Sequence, residues 1–411
     1  MSKRVLSWCL GACLSVFGSS SFATLVVDRA GTTFVEFSRS GRVSTAMTFD
    51  AQGSLLGCKT VDSGPEVKPR LDGPGFLLLT SSLEDWLVPQ VELLDGLGET
   101  QWSFFLPLLQ IPAGVAPSSD GGAWVWTYDS KLVRLDRRGQ IVRQTELPPG
   151  EFGSRSIELT EVDYGRVFFA DSSTFGFPGP EKPAGFGLIN ADGTIAWQRN
   201  EARGHFTRSK LMPLSNGDFW RFASFDSTQP GFESELQRWT PWGMKLYGYT
   251  GSMLVPGMDI TQPALDGNEV WFLARRLSRS GDPGVFPVRR FPQLELVRLG
   301  ALGIQSRQTI LPFVDRLRDS GALSVANGAA WVSVSRANEA DFIQYFTRAG
   351  SVWKRHYQDI SQINLVATSQ GDARFSFFDR DSNHWLVKLS PRGEEIWRVS
   401  LDAANDFACR R

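Results

Sequence analysis

The chain has 411 residues, 42% hydrophobic and 12% aromatic, with 14 Trp, 40 Gly and a formal net charge of −1. That length and apolar content suffice for a sizeable core, and near-neutrality excludes the general electrostatic footprint of a nucleic-acid or anionic-membrane binder. Abundant glycine together with abundant tryptophan points to many short strands joined by tight turns.

Residues 1–23 read as a signal peptide. Lys3 and Arg4 make a charged start, Val5 to Phe17 an apolar run of 13, and small residues lead to a cleavage point at Ala23. Thirteen apolar residues are too few to span a bilayer, and no later stretch reaches that length. The expectation is an exported protein, periplasmic or extracellular, with 24–411 as a single domain. Lipid anchoring at Cys13, in "LGAC", is the alternative, against which the apolar run before it is short and close to the charges. Losing Lys3 and Arg4 leaves 41 basic and 44 acidic side chains.

From Gly31 onward two kinds of glycine turn alternate. The first kind opens a strand that in most copies carries an aromatic three or four residues on: "DRAGTTFVEF" at Gly31, "LDGPGFLLL" around Gly73, "SSDGGAWVW" at Gly121 and "VDYGRVFF" at Gly165, then Gly217, Gly267, Gly328 and Gly371. The second kind sits in a polar turn between strands: Gly53, Gly98, Gly139, Gly193, Gly243, Gly303, Gly350 and Gly393. Glycine at the end of a short polar turn supplies the positive φ of a tight hairpin, and Asp or Asn ahead of it favours the same geometry. Two hairpins make four strands, and eight such units over 24–411 average about 48 residues, the length of a propeller blade. The predicted fold is all-β: an eight-bladed β-propeller of four-stranded antiparallel blades. Seven blades with a remnant hairpin, or unrelated hairpins in a large sandwich, are the alternatives.

In such blades the turns between strands one and two and between three and four share one face of the ring, and all other connections emerge on the opposite face. The long insertions begin at Asp171, Asp226 and Arg275, and long blade-to-blade connectors begin at Asn200, Thr250 and Ile310, which places a binding face on blades four to six. Between Arg275 and Arg290 lie Arg275, Arg276, Arg279, Arg289 and Arg290, with Phe286 among them and only Asp282 opposing. Such a cluster can hold carboxylates, sulfates or an acidic partner by bidentate hydrogen bonds, or be no more than solvated charge. His205, between Arg203 and Arg208, is a further candidate on the same face.

The only other histidines are His356 and His384, and no HExxH, CxxC, GxSxG or phosphate-loop pattern occurs. "DRDSN" at Asp379 to Asn383 lacks the later ligands of a calcium loop and reads as a turn. The recurrent tryptophans read as packing between sheets. In the mature part Cys58 and Cys409 remain, just after the last hairpin turns of the first and final repeats. Those blades are neighbours in a closed ring, so a disulfide there would tie the ends together in an oxidising compartment; two free thiols are the alternative.

The hairpin with a polar turn, a glycine and a tryptophan four residues after it, in "LINADGTIAW" (Leu188 to Trp197) and in "VKLSPRGEEIW", resembles the tryptophan-docking repeat of quinoprotein-like eight-bladed propellers. Gly57, Arg143, Tyr247 and Arg307 replace the tryptophan in other repeats. The resemblance implies one of two branches. Quinone-dependent dehydrogenases hold their cofactor with a calcium site and a disulfide between adjacent cysteines, and the mature part has no adjacent cysteine pair. The non-enzymatic branch includes a lipoprotein that scaffolds outer-membrane barrel assembly. The expectation is a non-catalytic scaffold without cofactor or metal, monomeric, binding a protein or extracellular ligand through the long-loop face and not nucleic acid. The alternative is a propeller enzyme, a degenerate quinoprotein dehydrogenase or a carbohydrate-active protein, with carboxylates at the central channel.

Overall fold

The computed structural model describes residues 24–408 except 39–42, 63–65, 82–88, 107–111, 128–130, 147–156, 163–164, 172–183, 202–205, 226–233, 255–257, 277–293, 302, 312–319, 336–339 and 359. The described strands form eight antiparallel sheets, each of four consecutive strands hydrogen-bonded in sequence order. The blades run Thr24–Asp62, Glu66–Phe105, Pro112–Glu146, Ile157–Glu201, Phe206–Thr250, Met258–Leu311, Ser320–Tyr357 and Ser361–Ser400. The count is therefore eight, not seven, and no blade borrows a strand from another. First strands of successive blades approach one another around the axis, so the first strand of each blade is innermost and the fourth outermost.

Burial follows that order. Second strands sit between two neighbouring strands and two neighbouring blades, and their sequences are almost uninterruptedly apolar, as in Ala123–Thr127 (AWVWT), every residue of which is buried. Fourth strands are edges, and Ile141–Glu146 (IVRQTE) is almost wholly exposed. The core is accordingly divided among the blade interfaces. Trp220 and Phe222 of blade 5 pack with Val270, Phe272 and Val297 of blade 6, and Trp271 and Leu273 of blade 6 with Val332 and Val334 of blade 7.

Every hairpin turn between first and second or third and fourth strands carries a glycine at positive φ, sixteen in all among the described residues. Fifteen are the glycines expected from the sequence. In blade 2 the residue is Gly75 (φ 122), not Gly73, because the bend closes later: the Arg70 amide donates to the Gly75 carbonyl at 3.0 Å. In most second turns a side-chain oxygen three residues before the glycine sets the conformation. Asp50 Oδ1 accepts from the amides of Gln52 and Ser54, both at 2.8 Å, while the Gly53 amide donates to the Asp50 carbonyl at 3.2 Å. This is a type I turn closed by a glycine bulge, and the strand register shifts there between Thr48 and Phe49.

Those glycines serve a second purpose. The fourth-strand tryptophan of one blade lies on the second-turn glycine of the next: Trp102 on Gly139, Trp197 on Gly243, Trp353 on Gly393 and Trp397 on Gly53. A Cβ at any of them would come within 2.7–3.0 Å of the indole. Trp197 and Trp353 also donate from Nε1 to the carbonyls of Pro241 and Pro391, each at 2.8 Å. Where tryptophan is missing the contact is rebuilt in other ways. At Gly57 the neighbouring turn moves in until the Leu97 carbonyl lies against the backbone, and Thr48 Oγ1 donates to that carbonyl at 3.1 Å. Arg143 lies over Gly193. Tyr247 packs against the blade 5–6 core, and Arg307 turns to Glu295 of its own blade at 2.7 Å.

Candidate functional site

Sixteen short turns on one face leave the variable connections to the other. The longest of these fall at 277–293 in blade 6, 172–183 in blade 4 and 147–156 between blades 3 and 4, followed by 226–234 in blade 5. Some insertions are shorter than the sequence suggests: blade 4 extends to Glu201 and blade 5 begins at Phe206, and a short helix, Gly251–Leu254, follows blade 5. Arg275 and Arg276 belong to a strand rather than a loop, since Arg275 pairs with Asp259 and Leu294 and Arg276 with Met258. Arg279, Phe286, Arg289, Arg290, His205 and Cys409 lie outside the described residues.

One connection on this face is described completely, the turn at Asp379 to Asn383. Asp379 Oδ1 accepts from the amides of Asp381 (3.0 Å) and Asn383 (2.8 Å), and Oδ2 from Trp385 Nε1 (2.8 Å). Burial is the largest single influence and raises the carboxyl, but these hydrogen bonds together outweigh it and hold the group below the usual carboxylate range. Both oxygens are occupied in shaping the turn, with Ser382 at φ 63 completing it. Among the described residues no group of three or more His, Cys, Asp and Glu side chains is arranged to hold a metal ion.

A second constellation lies at the axis. Four of the eight first strands are free of ionisable residues, as in TLVV of blade 1 and PAGVAP of blade 3; of the other four, blade 2 contributes Glu66 and Lys68 to this group, blade 4 Glu158 and blade 5 Lys210. Lys68 Nζ donates to the carbonyls of Val115 (2.7 Å) in blade 3 and Leu159 (3.1 Å) in blade 4, and pairs with Glu66 at 3.1 Å. Lys210 Nζ donates to the Pro263 carbonyl of blade 6 at 3.0 Å. Glu158 accepts from the Leu211 amide of blade 5. The innermost strands are sheet edges with unpaired backbone groups, and these long side chains satisfy them across blade boundaries.

The axial position shifts the two central groups. Removal from bulk water raises the Glu158 carboxyl to about 7, although Lys68 and Lys210 pull it down. The same loss of hydration lowers the Lys210 ammonium, with Glu158 acting against it. Lys210 is nonetheless solvent-accessible, so its enclosure by protein thins its hydration without removing contact with water. The axial carboxylates are thus interleaved with lysines. The signal in the sequence was charge within the first strand of a repeat, in "EVKP" and "IELTE".

No family model matches the chain, and no curated protein matches it. Solved structures share its fold. Dihydro-heme d1 dehydrogenase NirN, in complex with DHE, is 14% identical, with 93% of this chain and 75% of that one covered and a TM-score of 0.57. The Dos1 propeller is 11% identical over 87% of this chain and 90% of that one, with a TM-score of 0.54. Quinohemoprotein alcohol dehydrogenase from Comamonas testosteroni is 12% identical over 82% and 68%, at 0.50. Identities this low establish likeness of fold alone. The chain has the eight-bladed propeller architecture that its resemblance to quinoprotein-like repeats implied. Among the described residues no helix is long and apolar enough to cross a membrane.

Proposed function

We propose that this eight-bladed propeller is an exported, non-catalytic scaffold, periplasmic or extracellular, that binds a protein or extracellular ligand through the long connections of blades 4 to 6. The observation that carries this reading is the division of labour in the ring. The short turns dock blade on blade, the axial lysines tie inner edges together, and length variation is concentrated on one sector of the opposite face. Arg275, Arg276, Arg279, Arg289 and Arg290 recognise carboxylate or sulfate groups of the partner, with Phe286 as an apolar contact and His205 at the margin. Replacing Arg276, Arg289 and Arg290 together with Ala abolishes capture of the partner from an envelope or culture-fluid extract and leaves the melting temperature unchanged. Undiminished capture removes the assignment.

A second reading has its own support. A carboxyl group titrating near 7 beside a lysine of lowered pKa suits general acid–base work at the axis. If the protein is a glycosidase or a related enzyme, Glu158→Gln eliminates turnover of a glycoside panel while partner capture is untouched.

A further inference from the structure

In a closed ring the last blade must be held to the first, and here it is held without a shared strand. Three kinds of contact cross the seam. Trp397 Nε1 and Lys388 Nζ both donate to the Ala51 carbonyl, at 3.2 and 3.3 Å, and Lys388 is itself paired with Asp372 at 2.7 Å. Leu25, Val35, Met47 and Phe49 of blade 1 pack with Leu386 of blade 8. The third contact is the C-terminal helix, Leu401–Ala408, which leaves the last strand of blade 8 and packs on the fourth strand of blade 1, Leu55–Asp62.

That helix is specified locally. Ser400 Oγ accepts from the Ala403 amide at 3.2 Å, an N-cap, and Leu401 is fully buried in the seam cluster. Asp402 Oδ2 accepts from the His384 amide of blade 8 at 2.6 Å, and Asn405 Oδ1 accepts from Thr45 Oγ1 of blade 1 at 3.3 Å. One helix therefore grips both sides of the seam. It lies beside Cys58, which packs with Ala404 and is disulfide-bonded. Of the other three cysteines, Cys9 and Cys13 fall within 1–23, and Cys409 directly follows the helix.

We propose that the C-terminal helix is a latch that replaces strand exchange, fastened by a Cys58–Cys409 disulfide, and that its reduction loosens blade 8 from blade 1. A dithiol attacks the bond through a mixed disulfide. As it closes to its own disulfide it gives up two electrons and two protons, and Cys58 and Cys409 leave as two thiols. The bond links positions near the two ends of the ring, so it restrains the unfolded chain over a very long loop as well as the folded seam. Reduction removes both restraints at a single interface.

The test uses protein purified from an oxidising host compartment. Peptide mapping without reductant is expected to yield one linked peptide pair containing Cys58 and Cys409. Hydrogen exchange is then compared before and after a dithiol, and in the Cys58→Ser/Cys409→Ser variant. Exchange is expected to rise at least tenfold in Leu55–Asp62, Glu395–Ser400 and Leu401–Ala408, with blades 3 to 6 unchanged. If the double variant does not fold, the comparison on pre-folded oxidised protein decides alone. Unlinked cysteines, a change spread evenly over the ring, or a linked pair whose reduction alters nothing at the seam each overturn the proposal.

Discussion

The ring face of Trp397, in the last strand of blade 8, lies on Gly53 of blade 1, so that a Cβ added at Gly53 would meet Cδ2 of the indole at 2.8 Å. Gly267 also has positive φ (60) but nothing within 4 Å of where its Cβ would be. Alanine at either position incurs the left-handed backbone penalty, about 1–2 kcal/mol. Gly53→Ala adds overpacking of about 1–3 kcal/mol. Denaturation midpoints of the two variants should therefore separate clearly, with Gly53→Ala the lower; equal midpoints would show that the turns need only the backbone conformation.

The docked tryptophans and the exposed one should behave oppositely. Trp353 covers Gly393 and donates to Pro391, whereas Trp242, in a turn of the same kind, is 74% exposed. Trp353→Ala is expected to cost about 3 kcal/mol, and Trp242→Ser to stay within about 0.5 kcal/mol of the parent. Chemical denaturation of the pair measures the difference.

Two groups, one buried and one half-buried, give the stability profile opposite slopes. His384, 1% exposed and stacked on Phe378, has its pKa lowered from 6.5 to about 4 by burial, with Asp402 only partly compensating. Between those values the unfolded chain binds the proton and the folded chain does not. The contribution is complete above pH 6.5 and is lost as pH falls towards 4, up to roughly 3 kcal/mol. Glu158, raised from 4.5 to about 7 and facing Lys68, Lys210 and Glu66, contributes stability that is present below 4.5 and lost as pH rises through 7. The stability curve of His384→Phe should lack the acid-side loss, and that of Glu158→Gln the loss towards neutrality. A variant curve parallel to the parent's would refute the corresponding assignment.

At the axis, Lys68→Met leaves the Val115 and Leu159 carbonyls without their donor and Glu66 without its partner. Lys68 is partly exposed, so water compensates in part and the expected cost is about 1–3 kcal/mol. Lys68→Arg, which retains donors, should recover some of it. Thermal denaturation of both variants distinguishes this stapling role from an incidental charge, for which neither substitution would matter.

The repeat was legible because its signals are local. A side-chain oxygen three residues before a glycine, and a tryptophan four after it, can be read within one hairpin. Blade 2 misled at Gly73 because Asp72-Gly73-Pro74-Gly75 offers two glycines, and only the backbone bond from Arg70 to Gly75 selects the second. Arg275 and Arg276 looked like the start of an insertion because a strand end is set by its partners, here Asp259, Leu294 and Met258, rather than by its own composition. The axial group is harder to read for a related reason: Lys68, Glu158 and Lys210 come from three blades, and nothing in any one repeat announces that their charges act on one another.

The central claim, recognition on the long-connection face, is tested most directly by site-specific photo-crosslinking. A photoreactive residue is placed at Arg276 in one variant and at Leu97, an exposed position in a short turn of the other face, in a second. Both are incubated with envelope extract and the products are analysed by mass spectrometry. The account predicts one discrete crosslinked partner from position 276 and none from position 97. Crosslinking from position 97 alone, or a discrete partner that crosslinks equally from both, would contradict it.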